Sequence, residues 1–171
     1  TANWLLSLFS NTTGRNNTAN GFESLYSNTT GWNNIAFGNN TLYNNTIGWF
    51  NTALGTDALN LNIDGSYNTA IGNSALYHNT SGNNNIANWS LALFENLTWS
   101  NNTAIGYNSL VNNTIGNNNT AIGYGTALGI TSGVANTIIG ANVTGLASNL
   151  SNNIILADGN GNKGLIIEWT T

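Results

Sequence analysis

The chain has 171 residues, only 5% of them charged, with a net charge of about −4 and no cysteine. Arg15 and Lys163 are its only cations, too few and too far apart for a phosphate-backbone partner, so nucleic-acid binding is excluded. The lack of cysteine excludes disulfide frameworks and thiolate metal sites while leaving the redox compartment open, and no apolar run approaches the length of a membrane span.

A unit of 17 residues recurs ten times without an insertion, starting at Thr1, Thr18, Ile35, Thr52, Thr69, Ile86, Thr103, Thr120, Thr137 and Ile154. Strict repetition at a short period means stacked rungs that each bury their apolar face on a neighbour. The expectation is one all-β domain over residues 1–171, a parallel β-solenoid or β-roll of ten coils. Parallel strands stack at about 4.8 Å, so the rod would be on the order of 48 Å tall. The opening Thr1-Ala2-Asn3-Trp4 has neither a Met nor a charged leader, which suggests a piece of a longer protein.

Along the rung, the consensus T-A-I-G-x-x-A-L-Y-x-N-T-T-G-x-x-N predicts a first strand at phases one to four. Period-two alternation puts phases one and three on one face and the Ala of phase two on the other. A second strand is expected around the Leu column of phase eight, Leu8, Leu25, Leu42, Leu59, Leu76, Leu93 and Leu110, which is the predicted core. Aromatics follow at phase nine, among them Phe9, Tyr26, Tyr43, Tyr77 and Phe94. Gly at phases four and fourteen marks corners where positive φ is expected. Phase seventeen is Asn at Asn17, Asn34, Asn51, Asn68, Asn85, Asn102, Asn119, Asn136 and Asn153. Stacked amides at that spacing predict an Asn ladder. So thin a rung gains by packing on other chains, and the small Ala column is where a neighbouring backbone could approach. A homotrimer is therefore favoured over a lone solenoid.

Trp4, Trp89 and Trp99 occupy corner phases that are mostly Gly. Either those corners rearrange, or the source reads as glycine a UGA codon that is here translated as tryptophan.

The N-T-A-I-G module at residues 68–72, 102–106 and 119–123 resembles the N-S-V-A-I-G repeats of trimeric autotransporter adhesin heads. The longer unit at residues 102–116, N-T-A-I-G-Y-N-S-L-V-N-N-T-I-G, is similar to the Asn-rich repeats of phage tail fibres. Residues 136–145 and 153–159 resemble the segment that precedes an intramolecular chaperone domain in such fibres. The resemblance covers the whole chain and implies a trimeric parallel β-roll or β-helix that extends and adheres. The rung is longer than that of adhesin heads, so their strand path does not transfer.

Catalytic signals are weak. His78, the only histidine, stands in a turn phase and reads as a solvated side chain. Glu23 and Asp57 share phase six two rungs apart, about 9.6 Å by the strand spacing, and read as a coincidence of the repeat. Asp158, Asn160 and Asn162 alternate like the start of a calcium loop but lack its Gly and terminal Glu, which leaves a hairpin turn. Sequons such as Asn11, Asn28, Asn79, Asn96 and Asn112 would permit glycosylation in a secreted chain, although an N-x-T repeat generates them automatically. Thr ranks at phases one and twelve raise ice binding, but phase twelve is a turn interrupted by Ile63 and Leu97. The functional expectation is a non-enzymatic, cofactor-free extracellular fibre segment of a phage tail fibre or bacterial adhesin. Its expected partners are itself, as a homotrimer or filament, and a cell-surface glycan or protein receptor, without membrane insertion. The alternatives are a filament or surface-layer protein and an ice-binding solenoid.

Overall fold

A computed structural model describes residues 1–168. Its strands are β1 (Ala2–Asn3), β2 (Thr18–Asn20), β3 (Ile35–Phe37), β4 (Thr52–Leu54), β5 (Thr69–Ile71) and β6 (Ile86–Asn88). They continue as β7 (Thr103–Ile105), β8 (Thr120–Ile122), β9 (Thr137–Ile139), β10 (Asn153–Ala157) and β11 (Lys163–Glu168). All lie in one sheet in the order β1 to β11. From β1 to β10 the pairing is parallel and equivalent phases face each other, as in Ala36↔Ala53 and Ala53↔Ala70. Only β11 turns back, antiparallel to β10, pairing Ile154↔Ile167 and Leu156↔Leu165. The fold is an all-β solenoid with one coil per 17 residues and no helix among the described residues.

Each coil contributes one strand, where two were expected. Phases four to eleven form two successive turns, closed in the second coil by Ser24 N–H to the Gly21 carbonyl and Asn28 N–H to the Leu25 carbonyl, both 3.2 Å. The Leu of phase eight is therefore left-handed, with φ of 51° at Leu25, 53° at Leu42 and 51° at Leu59. That conformation costs an L-residue about 1–2 kcal/mol. Burying the side chain returns about 1.5–3 kcal/mol, so burial wins. Register survives without strand dihedrals because Leu42 N–H bonds the Ala58 carbonyl and Leu59 N–H the Ala75 carbonyl, both at 3.0 Å.

The core is the space between the Ala and Leu columns. Leu25 to Leu110 are fully buried at every coil, whereas Leu8, in the first coil, is partly buried against them. Ala19, Ala36, Ala53, Ala70, Ala87, Ala104 and Ala121 are equally buried and point inward. This corrects the expectation that the Ala column offers itself to another chain. Where the Leu column narrows to Ala127, the bulk shifts to the buried Ile130 and Ile138, conserving core volume. The outward face carries phases one and three, with Ile71, Ile86 and Ile139 exposed and no charged residue at either phase.

The phase-four corner keeps a glycine-like conformation even where it holds tryptophan. Gly72 has φ 131° and Gly106 129°, while Trp89 has 106° and Trp4 108°. The indole of Trp89 is 63% exposed, so packing does little to offset that strain. Phase fourteen is different. None of its residues has positive φ. A Cβ at Gly31 would instead collide with the Gly48 carbonyl oxygen and Asn28 Oδ1, so glycine is there for close approach. At Trp99 the stack shows the consequence. Phase-twelve amides bond the carbonyl one coil on, from Thr12 to Thr29 through Thr80 to Leu97, then skip Leu97 and resume with Thr114 to Thr131.

Candidate functional site

The nine Asn of phase seventeen are all buried, and each of the first eight, Asn17 to Asn136, ties its coil to the next at two points, whereas the Asn153 side chain bonds only the Ser151 carbonyl of its own coil. Asn17 Oδ1 accepts the backbone N–H of Asn34 at 2.9 Å, and Asn17 Nδ2 donates to the Gly31 carbonyl at 2.7 Å. The pattern repeats from Asn34 to Asn51 and from Asn51 to Asn68. The rank is thus mainly a side-chain-to-backbone ladder, with amide-to-amide bonding confined to Asn136 and Asn119 at 3.0 Å.

A second ladder, absent from the sequence expectation, runs along phase eleven. Asn28 Nδ2 donates to Asn11 Oδ1 at 2.8 Å, Asn45 to Asn28 at 2.9 Å and Asn62 to Asn45 at 2.7 Å. The other hydrogen of each amide goes to the phase-fourteen carbonyl of its own coil, as from Asn28 to Gly31 at 3.0 Å. The Gly31 carbonyl therefore receives Asn17 and Asn28 together, filling both lone pairs. Trp99 keeps this role, accepting from Asn85 and Asn96 at 2.9 Å each. The ladder stops where Ile130 replaces Asn, leaving the buried Asn113 Oδ1 without a partner. The signal was in the sequence, since phase eleven is Asn in the first seven coils, but Asn11, Asn28, Asn79 and Asn96 of that column also read as sequons. Asn28, Asn79 and Asn96 are buried with their amides engaged, which closes them to a glycosyltransferase in the folded chain. Asn112 is exposed.

The groups with chemical potential stand apart. His78 Nδ1 lies 3.1 Å from Glu95 Oε2, at ion-pair distance but without hydrogen-bond alignment. The imidazole is held edge-on between Tyr77 and Phe94, so it is a half-buried packing group and not the freely solvated one expected. Asp57 Oδ1 accepts from Asn60 Nδ2 at 3.1 Å. Glu23 lines a shallow cleft with Asn40, Tyr43, Asn44 and Asn60, and Asp57 is not among the residues lining it. Asp158 accepts from Asn162 Nδ2 at 2.9 Å and from the amides of Asn160 and Asn162 at 2.9 and 3.0 Å. These donors, the Asn162 side chain foremost, hold its carboxyl below the usual range. They make it the pin of the β10–β11 hairpin. No three His, Cys, Asp or Glu residues gather among the described residues, and no helix there is long and apolar enough to cross a membrane.

The aromatic column of phase nine is interrupted, and half-buried except at the exposed Phe9 of the first coil. Phe9, Tyr26 and Tyr43 stack at 5.2 and 5.1 Å, Asn60 breaks the run, and Tyr77 stacks on Phe94 at 5.3 Å. A different aromatic group forms at phases fifteen and sixteen. Trp32 stacks on Trp49 at 5.3 Å and Phe50 on Tyr67 at 5.3 Å, the two pairs meeting at 63° between Trp32 and Phe50. The phase-twelve Thr hydroxyls are engaged inside the stack, as from Thr29 Oγ1 to the Thr46 carbonyl at 3.0 Å, so only the phase-one Thr rank lies on the flat sheet.

No family model, curated protein or solved structure matches the chain.

Proposed function

We propose that the chain is a non-enzymatic segment of an extracellular attachment fibre, of the kind found in phage tail fibres and bacterial surface adhesins. One observation carries the reading: equivalent residues bond from coil to coil along backbone, Leu column and both Asn ladders, so length grows with coil number while cross-section stays constant. Such a stack is a spacer, with rigidity supplied by buried amide ladders and not by a large core.

Self-association into a homotrimer is part of this proposal. The surface that supports it is the outer face of phases one and three, where uncharged Thr, Ile and Leu run along the sheet. Flat apolar ranks of that kind are more than a monomer ordinarily leaves in water.

Electron microscopy of the full-length gene product tests the reading. Trimeric fibres attached to a virion or cell support it. An endless filament would replace it with an assembly protein, and thermal hysteresis in the purified chain would replace it with ice binding through the partly exposed Thr rank of phase one.

A further inference from the structure

Phe50 and Tyr67 occupy phase sixteen, where the other coils carry mostly Asn, and both are left-handed, with φ of 54° and 59°. Asn tolerates that conformation through local hydrogen bonding, whereas an aromatic residue has no such compensation. Both rings also remain in water, 41% and 48% exposed. The coil therefore bears conformational strain and apolar exposure at the same two positions, a combination that folding does not ask for.

These rings adjoin the stacked Trp32 and Trp49, and the face of Trp32 turned away from Trp49 looks toward the first coil. There Arg15 stands in the same phase, and Thr13, Arg15, Asn16, Thr30 and Trp32 line a cleft of about 440 Å³. Arg15 is the only arginine, is exposed, and has no ion-pair partner among the described residues. An aromatic plate, neutral amides and hydroxyls, and one unpaired guanidinium are thus brought together at a single corner of the rod.

We propose that this corner binds an acidic oligosaccharide, with a carboxylate-bearing sugar in the Arg15–Trp32 cleft and neighbouring units along Phe50 and Tyr67. A pyranose presents an apolar C–H face that packs on an aromatic ring and a hydroxyl rim that matches amides. A carboxylate matches the two-pronged guanidinium. A second protein is the poorer occupant, because four rings on three coils offer far less than the roughly 800 Å² per partner of a stable interface. The inference rests on the attachment reading only for its biological role, since binding is measured on the isolated chain and microscopy decides the fibre.

The test uses residues that the same phases carry in other coils, so that folding is preserved: Trp32→Asn, Phe50→Asn, Tyr67→Asn and Arg15→Ser. Oligogalacturonate and oligosialate serve as acidic probes and chito-oligosaccharide as the neutral one, with titration calorimetry for affinity and circular dichroism for fold. Wild type should bind at least one acidic probe more tightly than the neutral one. Each aromatic variant should keep its fold and lose roughly tenfold or more in affinity, about 1.4 kcal/mol. Arg15→Ser should abolish the preference for the acidic probe. The proposal is overturned if neither acidic probe binds, if the aromatic variants bind as wild type does, or if they shift the sedimentation of the chain and so mark the corner as a self-interface.

Discussion

Asn28 Nδ2 donates to Asn11 Oδ1 at 2.8 Å across one coil boundary, while its second hydrogen holds the Gly31 carbonyl at 3.0 Å. One amide thereby serves two coils, and neither of its hydrogens is left in the interior unpaired. A thin apolar core is enough because most of the polar half of the interior is satisfied, the exceptions being a few atoms such as Asn113 Oδ1 where the ladders end.

Removing a central member should be costly. Asn62→Ala deprives Asn45 Oδ1 of its donor and Asn79 Nδ2 of an acceptor, both buried. At about 1–3 kcal/mol for each of the two orphaned groups, the loss should be roughly 2–6 kcal/mol by denaturant melting. The exposed Asn112→Ala should cost less than about 0.5 kcal/mol. Equal effects would mean that a ladder amide contributes no more than one facing water.

The inward Ala column and the outward Ile rank separate fold from assembly. Ala70→Leu, Ala104→Leu and Ala121→Leu together overpack the interior, at about 1–3 kcal/mol each, and should remove the β signal at any protein concentration. Ile71→Lys with Ile139→Lys should leave that signal intact while reducing the sedimenting mass of a trimer to that of one chain. A wild type that sediments as a monomer at micromolar concentration would end the trimer proposal.

Glycine at the tryptophan corners should stabilise the chain. Trp89→Gly relieves a φ of 106° and exposes little new surface, for a net gain of about 1 kcal/mol after the entropy cost of glycine. Trp99→Gly should gain at least as much by letting the phase-twelve amide bonds run through Leu97. A lowered melting midpoint in either variant would show that the indole is packed and not merely tolerated. The intact mass of the protein made by its own source decides how that codon is read.

The Asp158 pin predicts acid sensitivity confined to the hairpin. Its folded pKa is depressed, so the stabilisation is present above the unfolded value of about 3.9 and is lost as pH falls through the folded value. Backbone amides of residues 160–162 should be less protected below that range than above it, protection being measured against the intrinsic exchange rate at each pH. Asp158→Asn should exchange fast throughout, and a pH-independent wild type would contradict the role.

The repeat, its length, the parallel register and the Leu column were legible because periodicity alone reports stacking. The turn at phase eight, where a strand was expected, was not, since Leu gives no hint that it is left-handed. The side to which Ala70 points was misjudged for a related reason. Without the turns at phases four to eleven, nothing places the Leu column opposite the Ala column. Asn11, Asn28, Asn79 and Asn96 were legible only as sequons, because at those coils a buried amide ladder and a surface glycosylation motif are written with the same letters. Phe50 and Tyr67 look unremarkable until their φ angles are known.

The skipped amide bond at Leu97 has a mechanical meaning. Each coil touches only its two neighbours, so stability passes along the rod like tension along a chain, and the weakest boundary sets where it parts. The boundary between the sixth and seventh coils, which lacks this bond, should therefore part before its neighbours when heat or pull is applied along the axis, with the coils on either side still folded.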